Sequence, residues 1–186
     1  MTRTWWSLLL TALVCGFAAT AHAADSVGTL YSKEGAVELE STAGGGFRPI
    51  EVGAELPFGG SLRTGAASRA AVLMRDGVMV RLNESSSFRF TKRIEGGASL
   101  SVEQGDAHFL SRKPASIPEV RTTYVTASIR GTEFVVSSGP EGSRIGVLQG
   151  AVTASNALGT VDLRDREEAV VRPGGPPSKG ILVDPE

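Results

Sequence analysis

Short runs of alternating apolar and polar residues, each broken by glycine, dominate this sequence. Val37 and Leu39 alternate with Glu38 and Glu40, Val72 and Met74 follow Ala70, and Val78, Val80 and Leu82 repeat the step. Phe88 and Phe90 flank Arg89, Leu100 and Val102 flank Ser101, Val120 and Thr122 flank Arg121, Ile145 and Val147 flank Gly146, and Val161 and Leu163 flank Asp162. A period of two places one row of side chains on a core and the other toward water, as in a half-buried β-strand. Turn formers separate the runs: Asp76-Gly77, Glu95-Gly96-Gly97, Gln104-Gly105-Asp106, Gly139-Pro140-Glu141-Gly142 and Gln149-Gly150. No stretch sustains a helical stripe with caps. The pattern predicts an all-β domain of antiparallel strands, a sandwich, roll or solenoid-like stack with glycine turns. Asp76-Gly77 predicts a tight hairpin, its glycine supplying the positive φ of a primed turn.

A weak internal echo runs through the chain. Glu34-Gly35-Ala36-Val37, Gln104-Gly105-Asp106-Ala107 and Gln149-Gly150-Ala151-Val152 each set a polar residue and a glycine just before a small residue and a new strand. The spacings are unequal, so no fixed solenoid repeat follows. Ala43-Gly44-Gly45-Gly46 reads as a loop tip, and Lys113-Pro114-Ala115-Ser116-Ile117-Pro118 as a crossover. Pro173-Gly174-Gly175-Pro176-Pro177 ends the regular pattern, because prolines withhold donors and glycines resist ordering. Residues 173–186 therefore read as a Pro/Gly-rich C-terminal tail, with Ile181-Leu182-Val183 able to add a short edge strand.

The N-terminus follows another logic. Arg3 supplies a positive charge, Leu8 to Ala19 an apolar run, and Ala21-His22-Ala23 the small-x-small pattern of a cleavage site. Residues 1–23 read as a signal peptide cut between Ala23 and Ala24, and the run is too short to span a bilayer. Val14, bulky where a lipoprotein signal has a small residue, argues against lipid attachment at Cys15. Cleavage removes Cys15, Trp5, Trp6 and His22, leaving His108 as the remaining imidazole. A cysteine-free exported chain makes no disulfide and fits a bacterial periplasm. Losing Arg3 takes the 19 basic residues to 18 against 20 acidic ones, a net charge of −2. Nucleic-acid binding normally needs a strongly basic balance, which is absent. About 160 residues remain, enough for one domain with a real core.

Catalytic chemistry finds little support. A Ser-His-Asp arrangement must use His108, which in Ala107-His108-Phe109-Leu110 alternates to the solvent side. Histidine and cysteine are too few for a zinc site, and no loop has calcium-ligand spacing. No phosphate-binding glycine motif opens a helix. Glu167 and Glu168 are adjacent, so on a strand they point to opposite faces and make no glycosidase pair. Catalytic, cofactor and metal residues are thus read as none. Carbohydrate binding needs an aromatic platform; Tyr31, Tyr124 and six phenylalanines remain after cleavage, most of the latter at core-facing positions.

The most distinctive stretch is Thr126-Ala127-Ser128-Ile129-Arg130-Gly131-Thr132-Glu133-Phe134-Val135-Val136. It resembles the FecR domain family of bacterial exported proteins. That family also shows blocks matched by Gly60-Ser61-Leu62-Arg63-Thr64-Gly65, Ser68-Arg69-Ala70-Ala71-Val72-Leu73, Arg75-Asp76-Gly77-Val78-Met79-Val80-Arg81-Leu82 and Gln149-Gly150-Ala151-Val152. The resemblance covers residues 55–155. Arg130, Gly131, Thr132, Glu133 and Phe134 form the family motif and read as structural: Gly131 for a backbone geometry a Cβ obstructs, Phe134 and Val136 for the core. Arg130 and Glu133 are expected to pair with each other or with nearby loops. The family's namesake passes a signal from an outer-membrane iron-siderophore receptor to a cytoplasmic sigma factor, using a cytoplasmic segment and a spanning helix. Neither is expected in this chain beside its leader.

Residues 24–172 are thus expected to form a stand-alone FecR-like all-β domain. The resemblance implies a non-catalytic periplasmic protein-interaction module in envelope sensing or signalling, with a periplasmic or envelope protein as partner. No nucleic acid and no membrane span are expected after cleavage. The alternative is a cell-wall or polysaccharide-binding module. Strand edges around Val27–Tyr31 and Val161–Leu163 are the candidate contact surfaces. Intact-mass measurement of the protein secreted by an expressing bacterium is expected to give a chain starting at Ala24. A chain starting at Met1 contradicts the leader.

Overall fold

The structure is a computed structural model that describes residues 26–92, 98–111, 119–130 and 133–182. The leader and its cleavage site, and the motif residues Gly131 and Thr132, lie outside the described residues. In chain order the strands are β1 (Ser26–Glu34), β2 (Val37–Glu40), β3 (Arg48–Pro49), β4 (Glu55–Pro57), β5 (Ser61–Thr64) and β6 (Arg69–Met74). Then come β7 (Met79–Leu82), β8 (Ser87–Lys92), β9 (Ala98–Leu110), β10 (Glu119–Arg121), β11 (Thr126–Ile129) and β12 (Glu133–Gly139). The last five are β13 (Gly142–Gln149), β14 (Ala151–Asn156), β15 (Gly159–Arg164), β16 (Glu167–Val171) and β17 (Ser178–Ile181). Among the described residues there is no helix.

These strands make two layers. The first runs β4–β1–β6–β7–β9–β12–β13–β16–β17. The second runs β3–β2–β5–β8–β9–β10–β11–β14–β15. Strand β9 belongs to both, pairing with β8 over Ala98–Gln104 and with β7 and β12 beyond. All pairings are antiparallel except β9 with β10, where Val120 and Arg121 lie alongside Leu100 and Ser101. A parallel pair cannot be joined by a tight hairpin; the stretch 113–118 expected as a crossover, like the Glu95-Gly96-Gly97 turn, lies outside the described residues.

The chain changes layer repeatedly, and each described change carries a residue in the left-handed region. These are Gly35, Gly53, Gly59, Ala67, Ser85, Gly105, Gly150 and Arg166. A left-handed residue between extended segments turns the chain sharply, and glycine does this without a Cβ penalty. The three other residues cost about 1 kcal/mol each in this region. Each is held by its own N–H: Ala67 to Glu84 Oε2 (2.7 Å), Ser85 to the Gly65 carbonyl (3.0 Å) and Arg166 to the Val147 carbonyl (2.8 Å). The echo of polar–glycine pairs in the sequence marks these corners. Gln104-Gly105-Asp106, expected as a turn between strands, is a bend within the single strand β9.

On one side the corners interlock. Ser68 Oγ accepts from the Ala36 N–H (2.9 Å), and Thr64 Oγ1 donates to the Asn83 carbonyl (2.6 Å) and accepts from the Ser86 N–H (3.0 Å). Ser86 Oγ in turn accepts from the Asp106 N–H (3.1 Å). Gly105 packs so closely here that a Cβ would sit 2.3 Å from Ser86 Oγ and 2.6 Å from its Cα.

Between the layers lies the apolar core. Phe88 and Phe90 from the second layer meet Phe109 and Phe134 from the first, all fully buried. Phe109 and Phe134 are cross-strand partners with stacked rings 4.5 Å apart, and Phe88 reaches Phe109 across the core at 6.0 Å. Most of the alternating residues read from the sequence point inward; Val161 and Thr122 are half-buried.

Three expectations are corrected. The Asp76-Gly77 hairpin forms with its glycine at positive φ, but not through a primed turn. Gly77 N–H bonds to the Met74 carbonyl (3.0 Å) and Met74 N–H to the Val78 carbonyl (2.8 Å), a type I turn closed by Gly77 at φ +87°. Val27–Tyr31 is no sheet edge, since β4 pairs with one side of β1 and β6 with the other. The segment read as a tail able to add an edge strand at 181–183 carries one earlier, β17 over Ser178–Ile181, paired with β16.

Gly105→Ala is expected to lower unfolding free energy by about 3–4 kcal/mol, combining left-handed strain with the clash on Ser86. Gly53→Ala, at φ +92° with open space around it, is expected to cost about 1 kcal/mol. Equal losses in urea titrations would contradict the interlocked corner.

Candidate interaction surface

The family motif does not converge on a cavity. Phe134 is buried against Phe109. Arg130 is exposed; its backbone N–H bonds to the Ala151 carbonyl (2.8 Å), and it borders a shallow cleft with Thr153, Asp162 and Arg164. Glu133 does not pair with Arg130. Its Oε1 lies 2.9 Å from His108 Nε2, joining neighbouring strands β12 and β9.

His108 lies on the face opposite its buried neighbours Ala107 and Phe109, as alternation predicts, but the Glu133 contact keeps it from standing free in water. Its side chain is half-buried on the outer face of the first layer, in a cleft of about 540 Å³ with Arg81, Asp106, Val135, Ser137 and Leu182. A carboxylate thus stands beside the imidazole, as a catalytic dyad requires. Among the described residues the hydrogen-bond partner of the ring is Glu133. Among the described residues no three His, Cys, Asp or Glu side chains cluster to hold a metal ion. No helix there is long and apolar enough to cross a membrane.

What the fold does leave open is decided by its edges. Unpaired backbone N–H and C=O groups at a sheet edge invite another strand, and proteins normally cover them. The first layer ends in β4 and β17, the second in β3 and β15. Strands β3 and β4 are two and three residues long, and the loop between them is bonded back onto β1 and β2. There Leu30 N–H reaches the Ala54 carbonyl (2.9 Å) and Ile50 N–H the Val37 carbonyl (3.2 Å).

Strand β15, holding the expected edge Val161–Leu163, pairs on one side with β14, and its other side is blocked by side chains of the same chain. Lys179 Nζ donates to the Asp162 carbonyl (2.9 Å), and Glu167 Oε2 accepts the Arg164 N–H (2.7 Å). Lys179 and Glu167 also pair with each other at 2.7 Å. The Lys179 hydrogen bond, helped by the Arg164 N–H, holds the Glu167 carboxyl below its ordinary value. A depressed carboxylate stabilises the fold above its unfolded value and loses that contribution as pH falls through the acid range.

Strand β17 is different. It pairs with β16 on one side, and among the described residues no strand takes the other. Leu182 N–H bonds to the Arg166 carbonyl (2.9 Å), so by antiparallel alternation Ser178, Gly180 and Leu182 bond inward. The backbones of Lys179 and Ile181 face outward. Ile181 is 77% exposed, the most exposed large apolar side chain described. The sequence signalled this strand only as a run of three apolar residues beyond the prolines.

Among the described residues the exposed aromatic side chains form no shared platform. Tyr31 is exposed, whereas the Tyr124 hydroxyl donates to the Pro140 carbonyl (3.2 Å), and Arg63 covers the Phe47 ring at 4.0 Å.

Comparison with known proteins agrees with this architecture. A family model described as FecR protein matches residues 60–153. Crystal structures of a candidate anti-sigma factor from Parabacteroides distasonis, at 1.65 and 2.50 Å resolution, align with a TM-score of 0.57 and 20% identity, over 65% of this chain. The chain spans 59% of the length of those solved chains. At that identity the likeness is one of fold. No curated protein matches the sequence significantly.

Phe134→Ala is expected to cost about 3–5 kcal/mol of stability through the cavity beside Phe109. Arg130→Ala, on the surface, should stay within about 0.5 kcal/mol. Similar losses for both in thermal unfolding would contradict the split between core and surface in this motif.

Proposed function

The chain belongs to the FecR protein family, and from that premise we propose that it is an exported, non-catalytic module that binds a protein partner in envelope signalling. The family is one of regulators, and the neighbouring fold occurs in a candidate anti-sigma factor. The leader read from the sequence supports a periplasmic location. The observation that carries the binding mode is the contrast among the edges: three are short or blocked by the chain itself, while among the described residues no strand covers the outer side of β17, where Ile181 is exposed. Strand addition there supplies affinity through backbone hydrogen bonds and specificity through side chains beside the edge.

The test is capture of partners from crosslinked periplasm by tagged protein. The native chain is expected to recover a reproducible envelope protein. Ile181→Glu should reduce that recovery about tenfold or more, as expected for an interface anchor. Leu158→Glu, equally on the surface but in the β14–β15 turn, should leave it unchanged. Loss with Leu158→Glu alone, or recovery of glycan with no protein, would contradict the reading.

A further inference from the structure

Two features beneath the C-terminal strand define what a strand lying on β16 must carry, and the resident strand matches only the first. The first is Gly146, in the middle of β13 and fully buried at an ordinary negative-φ position. Glycine weakens a strand interior and there commonly marks close approach by something else. Here the approaching group is Leu182: a Cβ on Gly146 would sit 2.7 Å from Leu182 Cδ1 and 3.0 Å from Val135 Cγ2. Gly146 thus opens a receptacle for one aliphatic side chain on the outer face of the first layer.

The second feature is Glu168, on β16 directly opposite Gly180. Its side chain is 13% exposed, and Oε2 is buried without a hydrogen-bond partner. Arg144 Nε approaches no closer than 3.6 Å. A buried carboxylate oxygen without a donor is costly, and a donor brought to it gains a charge-assisted bond. The resident strand offers none, because Gly180 has no side chain. Space for one exists, since a Cβ on Gly180 would lie 3.5 Å from Glu168 Cγ, an ordinary contact.

From these we infer that Ser178–Leu182 is a resident stand-in, and that the partner's strand takes its place on β16. The incoming strand is an extended segment with leucine in the position of Leu182 and, two residues earlier, a hydrogen-bond donor in the position of Gly180. Glu167 and Glu168 along β16 favour a hydroxyl or basic side chain at and beside that donor. The resident strand is lightly held: none of its four residues is buried. It is secured by Lys179 on Glu167, by Ser178 Oγ on the Val170 carbonyl (2.9 Å) and by Leu182 in its notch. This inference rests on the protein-partner reading above but not on addition outside β17: in exchange on β16, Ile181 leaves with the resident strand, so loss of partner recovery with Ile181→Glu belongs to the addition mode alone.

A fluorescent peptide copying Pro177–Leu182 with Gly180→Ser tests it on the full chain. The peptide is expected to bind the Leu182→Ala protein, whose notch is vacated, about tenfold tighter than the native protein. A peptide also carrying Leu182→Ala should lose that gain, and the Gly180→Ser protein, its own strand now bonded to Glu168, should bind the first peptide more weakly than native. Matching melting temperatures show that each variant is folded. Equal binding to all three proteins, or none, overturns replacement. If replacement fails while Ile181→Glu still abolishes partner recovery, the partner adds outside β17 and the binding reading survives without it.

Discussion

The left-handed corners are the constraint on which this structure depends. An extended chain that crosses between layers must reverse its direction within one or two residues, and a single residue at positive φ does this. Because the corners fix where each strand starts, they also fix its register, and a slip by one residue would turn every core side chain outward. The serine and threonine bonds joining Ser68, Thr64 and Ser86 make the corners of one side a connected column rather than isolated turns. The aromatic contact from Phe88 to Phe109 across the layers follows from that registration.

Layers built this way have four ends, and their treatment links the fold to function. At the N-terminal side the β3–β4 loop folds back onto β1 and β2. At the other side Lys179 and Glu167 seal β15 with side chains, while among the described residues no strand covers the outer side of the lightly held β17. Strand exchange at this edge needs a registering pocket, and the Gly146 notch, filled by Leu182 in the resident strand, supplies it. The same notch explains a glycine that the backbone at position 146 does not require.

Alternation made the strands legible in the sequence, because one face of almost every strand is buried. Phe88, Phe90, Phe109 and Phe134 were readable as core on that ground. Pairing partners were less legible: Val27–Tyr31 lies near the start of the described chain yet sits between two strands, since residues 48–57 fold back to cover it. Ala67, Ser85 and Arg166 gave no turn signal, because tertiary hydrogen bonds hold them at positive φ where propensity predicts nothing. The His108–Glu133 contact joins residues 25 apart and needed the β9–β12 register. Ser178–Ile181 hid behind prolines that locally end regular structure but here only turn the chain toward β16.

Hydrogen exchange on the native protein, with and without the envelope partner it recovers, tests the central claim most directly. The account predicts that the amides of Gly180 and Leu182 exchange much faster than those of β12 and β13 in the free protein, and that protection on binding concentrates along β16. Protection confined to the second layer or to the β3–β4 loop, with β16 unchanged, would contradict it.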